Sequence, residues 1–378
     1  MWALGIVLAT LFVAFANGAN DNFKGVATLF GSGTTSYRKA LTWATVTTFA
    51  GSLASFFLAS KLVKTFSGKG LVPDNTIHEP AFLIAVILGA AFTVFVAAKT
   101  GIPISTTHAL TGALLGSGLV TVGSELGFGV LGKSFFMPLL LSPVVSMILA
   151  IVIYPLLSGA RRLCGVTKES CICVGGRLIP VGVAVNVGGI ATATAVPTID
   201  VMVGRSEGCA QQSIEVYAGK FFGVTAQRGL DFFHFVSAGA VSFARGLNDT
   251  PKIVALLVAA GAIGLRGGIV VALVMALGGI FSARKIAETV SKRITRMNHG
   301  QGFTANLVTA FLVIVASRWG MPVSTTHVSC GSLFGIGLVN GKADWKVIRT
   351  IFAAWVLTLP VAAGCSALLY VTLGRMFS

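Results

Sequence analysis

The sequence predicts an all-α polytopic membrane protein. Two inverted-topology repeats of about five transmembrane segments each are expected, with broken or half helices at the midplane and a polar central segment. Three observations predict it. The chain is too apolar to cover itself with a water-facing surface, its apolar runs fall into two sets of five, and two pairs of polar motifs recur in the same order in both sets.

Of 378 residues, 54% are hydrophobic and 11% are charged, and the mean hydropathy is +0.87. Soluble domains carry roughly 25% charged residues. The two-domain soluble enzyme that length alone suggests is therefore excluded. The net charge of +16, from 28 Lys and Arg against 12 acidic residues, would point to nucleic acid in a soluble chain. Here most cations lie in short gaps between apolar runs, where the positive-inside rule and anionic headgroups account for them. The bilayer is the implied partner, and nucleic acid is not. Residue 1 opens into an apolar run without a basic n-region, so no cleaved leader is expected. Four of the six cysteines (Cys164, Cys171, Cys173, Cys209) fall in the polar centre at spacings that match no zinc pattern. They are read as incidental thiols.

A bilayer-crossing helix needs about 20 mainly apolar residues. Candidate runs are 2–31, 40–60, 81–98, 103–123 and 134–157, then 231–263, 266–283, 303–319, 322–340 and 346–374. This divides the chain into a first transmembrane repeat (1–157), a central segment (158–230) and a second repeat (231–378). The centre is rich in Gly, Val and Thr and carries seven Lys or Arg. It reads as a cytoplasmic linker or small strand-forming domain, although its 181–203 portion is itself apolar.

The repeats carry matched motifs. Phe15-Ala16-Asn17-Gly18-Ala19-Asn20-Asp21 returns as Phe243-Ala244-Arg245-Gly246-Leu247-Asn248-Asp249, each followed three residues on by a lysine, Lys24 and Lys252. Gly101-Ile102-Pro103-Ile104-Ser105-Thr106-Thr107-His108 returns as Gly320-Met321-Pro322-Val323-Ser324-Thr325-Thr326-His327, with Gly112 and Gly116 matching Gly331 and Gly335. A weaker third pair sets Leu62-Val63-Lys64-Thr65 against Ile286-Ala287-Glu288-Thr289. Five crossings is an odd number, so the second repeat enters the membrane the other way up. With both termini outside, the inner short loops hold eleven Lys and Arg and the outer face seven. That bias places the central segment in the cytoplasm. Inverted repeats are the build of secondary transporters, with the site near the midplane between them.

An ionisable residue at membrane depth is costly and marks a functional site. Asp21 lies inside such a run, with Asn17, Asn20 and Asn22 around it. Gly18 is expected to let the helix unwind, freeing carbonyls that irregular backbone can expose only to a protected cavity. Asn248 and Asp249 with Gly246 repeat the arrangement. Carboxylate, amide and carbonyl oxygens without Cys or paired His suit a hard cation such as sodium. The bland alternative is a kink with one salt bridge, for instance from Asp21 to a nearby lysine.

The second motif has a different chemistry. Proline biases the preceding residue away from helix, suits a first helical turn, and a following Ser or Thr caps the new start. Gly-x-Pro-x-Ser-Thr-Thr therefore reads as a break followed by a fresh helical N-terminus. Such an end offers unpaired N–H groups and about half a positive charge, which together favour an anion. With Ser105, Thr106, Thr107, Ser324, Thr325 and Thr326 adding hydroxyls, two facing ends form a donor pocket for a small tetrahedral oxyanion. The alternative is helix capping and packing alone. Accessory candidates are His108 and His327, one turn into each helix, Lys24, Lys252, the symmetry-breaking Arg245, and Glu288 near a helix end.

These four motifs together resemble the inorganic phosphate transporter family of cation–phosphate symporters, over about residues 15–116 and 243–335. The resemblance implies inorganic phosphate as substrate, sodium or protons as coupling ion, Asp21 and Asp249 in cation coupling, and the Ser-Thr-Thr segments at phosphate. Two departures are Arg245, where relatives often have histidine, and Thr250-Pro251, where the first copy has Asn22-Phe23. The expected function is a secondary active phosphate importer at the cell membrane, with sodium favoured at Asp21 and Asp249. It is not an enzyme and needs no further cofactor, and a homo-oligomer is compatible with it. Proton coupling, transport of another oxyanion such as sulfate, and an intramembrane metallohydrolase at His108, His327, Asp21 and Asp249 are the alternatives. The last lacks any metal-ligand spacing.

Overall fold

The computed structural model describes residues 2–167, 170–180, 195–205, 222–261 and 265–377. The chain forms two compact units, Met1–Tyr154 with His234–Ser378, and Pro155–Phe233.

The first half begins with α1 (Trp2–Asp21), a turn, a 3-10 segment Lys24–Val26 and the short α2 (Ala27–Gly31). Then come α3 (Tyr37–Leu58), α4 (Ser60–Phe66), α5 (Asp74–Ile77), α6 (Pro80–Thr100), α7 (Thr106–Val122), α8 (Phe128–Val130) and α9 (Met137–Leu163). The second half holds α10 (Ala226–Ala259), α11 (Leu265–Ser282), α12 (Arg284–Glu288), α13 (His299–Trp319), α14 (Thr325–Asn340) and α15 (Trp345–Phe377).

The proline motifs break the chain as expected. α6 starts on Pro80 and closes at Gly101, whose φ of +80° only glycine adopts freely, with the Ile102 N–H reaching back to the Ala97 carbonyl at 3.0 Å. α13 closes identically at Gly320 (φ +75°), with Met321 N–H to Ala316 O at 2.9 Å. Pro103 and Pro322 follow. α7 and α14 then restart, capped by Ser105 Oγ accepting from the His108 N–H (3.1 Å) and Ser324 Oγ from the His327 N–H (3.2 Å).

Among the described residues, six helices are long and apolar enough to cross a membrane, or seven counting Gly267–Ser282 with Arg284–Arg293, which bend by 69°. The other runs among the ten fall short for physical reasons. α7 and α14, at 17 and 16 residues, reach about 24–26 Å at ~1.5 Å per residue, less than the ~30 Å hydrocarbon core. α10 carries Arg245, Asp249 and Lys252. The stretch Phe128–Leu163 is strongly apolar, yet little of it is buried within the protein. Side chains such as Phe57 and Leu140 are 82% and 67% exposed, and faces this apolar require lipid.

Contacts between the halves are reciprocal, as a two-fold axis demands. A Cβ on Gly51 would lie 2.0 Å from the Phe243 carbonyl, and one on Gly278 2.1 Å from that of Phe15. Thr65 Oγ1 donates to Gly320 O (3.2 Å), and Thr289 Oγ1 to Gly101 O (2.9 Å). The weak third sequence match is thus a pair of equivalent braces, each holding the opposite half's helix break.

One expectation fails. Gly18 does not unwind α1, which runs unbroken to Asp21. Gly18 instead admits a neighbouring backbone: its Cβ would stand 1.9 Å from Met275 O, and that of Gly246 would stand 2.0 Å from Thr48 O. The helix breaks only at Asn22-Phe23. In the second half α10 continues through Pro251.

The Pro155–Phe233 unit contains an antiparallel sheet, order β2-β1-β3, of β1 (Ser170–Pro180), β2 (Ala195–Arg205) and β3 (Phe222–Thr225). Cys171 pairs with Gly204 on one side and Thr225 on the other. The strand-forming reading of the centre therefore applies, and the all-α description holds for the other unit. Cys164 is an exposed free thiol, and Cys171 is buried in the sheet. Cys209 and the apolar residues 181–194 lie outside the described residues.

Candidate functional site

Four chain segments deliver the polar motifs to one place. The end of α1 supplies Asn17, Asn20 and Asp21, and the middle of α10 supplies Arg245, Asn248, Asp249 and Lys252. The two proline breaks supply the Ile104 and Val323 carbonyls together with the first residues of α7 and α14. A proline break is what makes those carbonyls available, because a continuing helix would have consumed them.

Asp21 is the most heavily bonded group. Its Oδ2 accepts from Asn17 Nδ2 and Thr106 Oγ1, both at 3.0 Å. Its Oδ1 accepts from Asn20 Nδ2 (2.8 Å), Thr326 Oγ1 (3.2 Å) and the Lys24 ammonium. Lys24 Nζ also reaches Ile104 O (2.9 Å) and Thr326 Oγ1 (2.7 Å). The second half repeats the design. Lys252 Nζ meets Asp249 Oδ1 (3.4 Å), Val323 O (2.8 Å) and Thr107 Oγ1 (2.7 Å). Asn248 Nδ2 donates to Asp249 Oδ1 and Val323 O, both at 3.1 Å.

The halves are stitched through Asn17 and Arg245, which occupy equivalent positions. Arg245 Nη2 donates to Asn17 Oδ1 at 2.9 Å and Nη1 to Asn22 Oδ1 at 3.3 Å, while Nε stands 3.6 Å from Asp249 Oδ2. Asn17 Nδ2 also lies 3.4 Å from Asp249 Oδ2. Each aspartate is thereby tied to both repeats.

Asp21, Lys24, Arg245, Asp249 and Lys252 are buried, none more than 4% exposed. Buried charge is tolerated only when paired and hydrogen-bonded, and it marks function at membrane depth. Three cations face two carboxylates. The starts of α7 and α14 add their partial positive charges. The balance is cationic, which favours a small multivalent anion, while the carboxylate, carbonyl and hydroxyl oxygens suit a hard cation.

The structure brings together Asn20, Asp21, Lys24, Thr106, Thr107, Arg245, Asn248, Asp249, Lys252 and Thr326. Ser105 and Ser324 are spent as helix caps, and Thr325 is buried at the α14 start. Among the described residues, neither the His108 ring nor the His327 ring hydrogen-bonds the charged groups. Their rings pack 4.3 Å apart, His327 stacks on Trp355 at 3.9 Å, and both line an apolar cavity with Leu139, Met147 and Phe334. Glu288 does not join the cluster: it is exposed and pairs with exposed Arg284 at 3.7 Å. The sequence placed Asn17 and Asn22 around Asp21 without showing that Arg245 binds both. It gave no sign of Ser317, which bonds Asn248, or of the Ile104 and Val323 carbonyls. Asn17 lay inside the repeated motif, so its register against Arg245 was the available signal.

Comparison with known proteins gives the family and the fold. The phosphate transporter family model matches residues 17–366. A Pyrococcus abyssi protein described as a "Putative phosphate permease" is 30% identical, over 98% of this chain and 97% of its own length. The chloroplastic inorganic phosphate transporter 2-1 of Arabidopsis thaliana is 26% identical, over 94% of this chain and 70% of its own. A solved structure described as "The sodium-dependent phosphate transporter" matches 100% of both chains with a TM-score of 0.75 and 20% identity, and so shares the fold. The chain belongs to the phosphate transporter family and is a multi-pass membrane protein.

Proposed function

We propose that this family member imports inorganic phosphate together with a coupling cation, by alternating access about the Asp21–Asp249 cluster. The observation that carries the reading is the convergence of all four motif copies on one buried, net-cationic cluster at two helix starts. Phosphate is held by the hydroxyls of Thr106, Thr107, Thr325 and Thr326 and by the two helix starts that Ser105 and Ser324 cap, with Arg245 linked to Thr106 through Asn17. Asp21 and Asp249, with Asn20 and Asn248, hold sodium, the ion suited to those oxygens and the one on which the structural neighbour is described as dependent. A divalent phosphate brings two negative charges to a depth where each is expensive, so cations travel with it. Both termini lie outside and the central segment faces the cytoplasm, in keeping with the loop charges.

A second reading, proton coupling, draws on one observation: a lysine already sits on each carboxylate. Uptake of labelled phosphate into liposomes under an imposed sodium or pH gradient separates the two. Sodium-driven uptake that arsenate inhibits and sulfate does not is the expected result. Inhibition by sulfate instead would reassign the anion.

A further inference from the structure

Lys24 and Lys252 each end among three oxygens of matched origin. One comes from the neighbouring aspartate, one from the proline-break carbonyl of the same repeat (Ile104 or Val323), and one from a threonine at the helix start of the other repeat (Thr326 or Thr107). An ammonium has three N–H donors, so each set of oxygens satisfies one lysine. The same carboxylate, carbonyl and hydroxyl oxygens are also what a hard cation takes. Lysine and sodium carry equal charge and need the same atoms, so neither can use them while the other does.

We propose that Lys24 and Lys252 are tethered cations that occupy the two cation sites and compete with sodium, each for its own set of oxygens. The proposal rests on the reading of the cluster as a cation-coupled site and names what controls ion access there. The two sites are unequal. The Asn20 amide touches both Asp21 and Ile104 O through Nδ2, while its buried Oδ1 has no hydrogen-bond partner among the described residues. Its counterpart, Asn248 Oδ1, accepts from Ser317 Oγ at 3.2 Å. The first site thus holds a spare oxygen ligand that the second has committed, and sodium occupies it more readily once its lysine is gone.

The test is equilibrium binding of radioactive sodium to purified full-length protein in phosphate-free choline buffer. Wild type is compared with K24Q, K24A, K252Q and the charge-balanced D21N/K24Q. K24Q and K24A are expected to bind sodium about tenfold tighter than wild type, a difference of about 1.4 kcal/mol. K252Q should gain less, and D21N/K24Q should lose the gain. Glutamine keeps an amide donor for Asp21, so K24Q carries the test if K24A does not fold. Sodium affinity in folded K24Q and K252Q equal to or weaker than wild type overturns the proposal. Because phosphate is absent, that failure leaves the phosphate reading standing. Equally, an uptake assay that reassigned the anion would leave the lysine–sodium competition intact.

Discussion

The two aspartate sites share a plan and differ in execution. Around Asp21 the chain breaks, so Lys24 leaves the helix in a 3-10 turn and Asn22 is free to receive Arg245. Around Asp249 the helix continues through Pro251, and Thr250 in the Asn22 position bonds Ser52 at 2.7 Å instead. The symmetry-breaking arginine sits only in the second repeat, yet two of its three nitrogens serve the first. Duplication placed matching groups about an axis, and divergence of one pair, Asn17 and Arg245, then gave that axis a charge. The lesson is that equivalent residues at the axis act on each other, so their substitutions are not independent.

The comparison breaks most completely if the repeats are not inverted. Lys64 and Glu288 are equivalent and exposed, and inversion puts them on opposite sides of the membrane. In a chain cleared of native thiols, Lys64→Cys should react with an impermeant thiol reagent from outside and Glu288→Cys only from inside. Reaction of both from one side would remove the inversion.

Next in size is Arg245. R245A strands Asn17 Oδ1 and Asn22 Oδ1 in a buried site and leaves Asp249 to Lys252 and Asn248. Each of the two lost hydrogen bonds from a charged donor is worth about 1.5–3 kcal/mol. A large fall in the thermal unfolding midpoint is expected. R245K, which keeps the charge without the planar fork, should recover part of it. A midpoint unchanged in R245A would mean that the axis contact is dispensable.

A smaller effect sharpens the comparison at the helix starts. Thr106 Oγ1 bonds Asp21, whereas among the described residues no such bond ties its equivalent Thr325 to Asp249. T106A should therefore weaken phosphate affinity by about 1.5–3 kcal/mol, the worth of a hydrogen bond to a charged group, and T325A by less. Equal losses, measured by phosphate binding at fixed sodium, would show that the two hydroxyls act alike.

Much of this was legible in the residues. The break and restart at Gly101–Ser105 and Gly320–Ser324 follows from local chemistry: a left-handed glycine, a proline without an N–H, and a serine cap. Gly18 misled because the same residue serves two ends, backbone freedom and close approach. What settles between them is Met275, more than 250 positions away. The free carbonyls were expected beside Asp21 and occur at the proline breaks instead. Lys24 gave no sign that it reaches Thr326, 302 residues on, since a two-fold crossing of the chain is not a local property. Nor did the mismatch of Asn17 with Arg245 reveal that the pair touches. In the centre, a composition rich in Gly, Val and Thr was enough to suggest a linker or a small strand-forming domain but not the strand order.

The central claim is that one carboxylate from each repeat couples a cation to phosphate movement. The most direct measurement is gradient-driven accumulation of labelled phosphate in liposomes containing wild type, D21N or D249N. Asparagine keeps the shape and one oxygen and removes the charge. Wild type should accumulate phosphate against its gradient, and both variants should lose that accumulation while remaining folded. Accumulation in either variant with the cation dependence of wild type would show that its carboxylate is structural, and would contradict the claim.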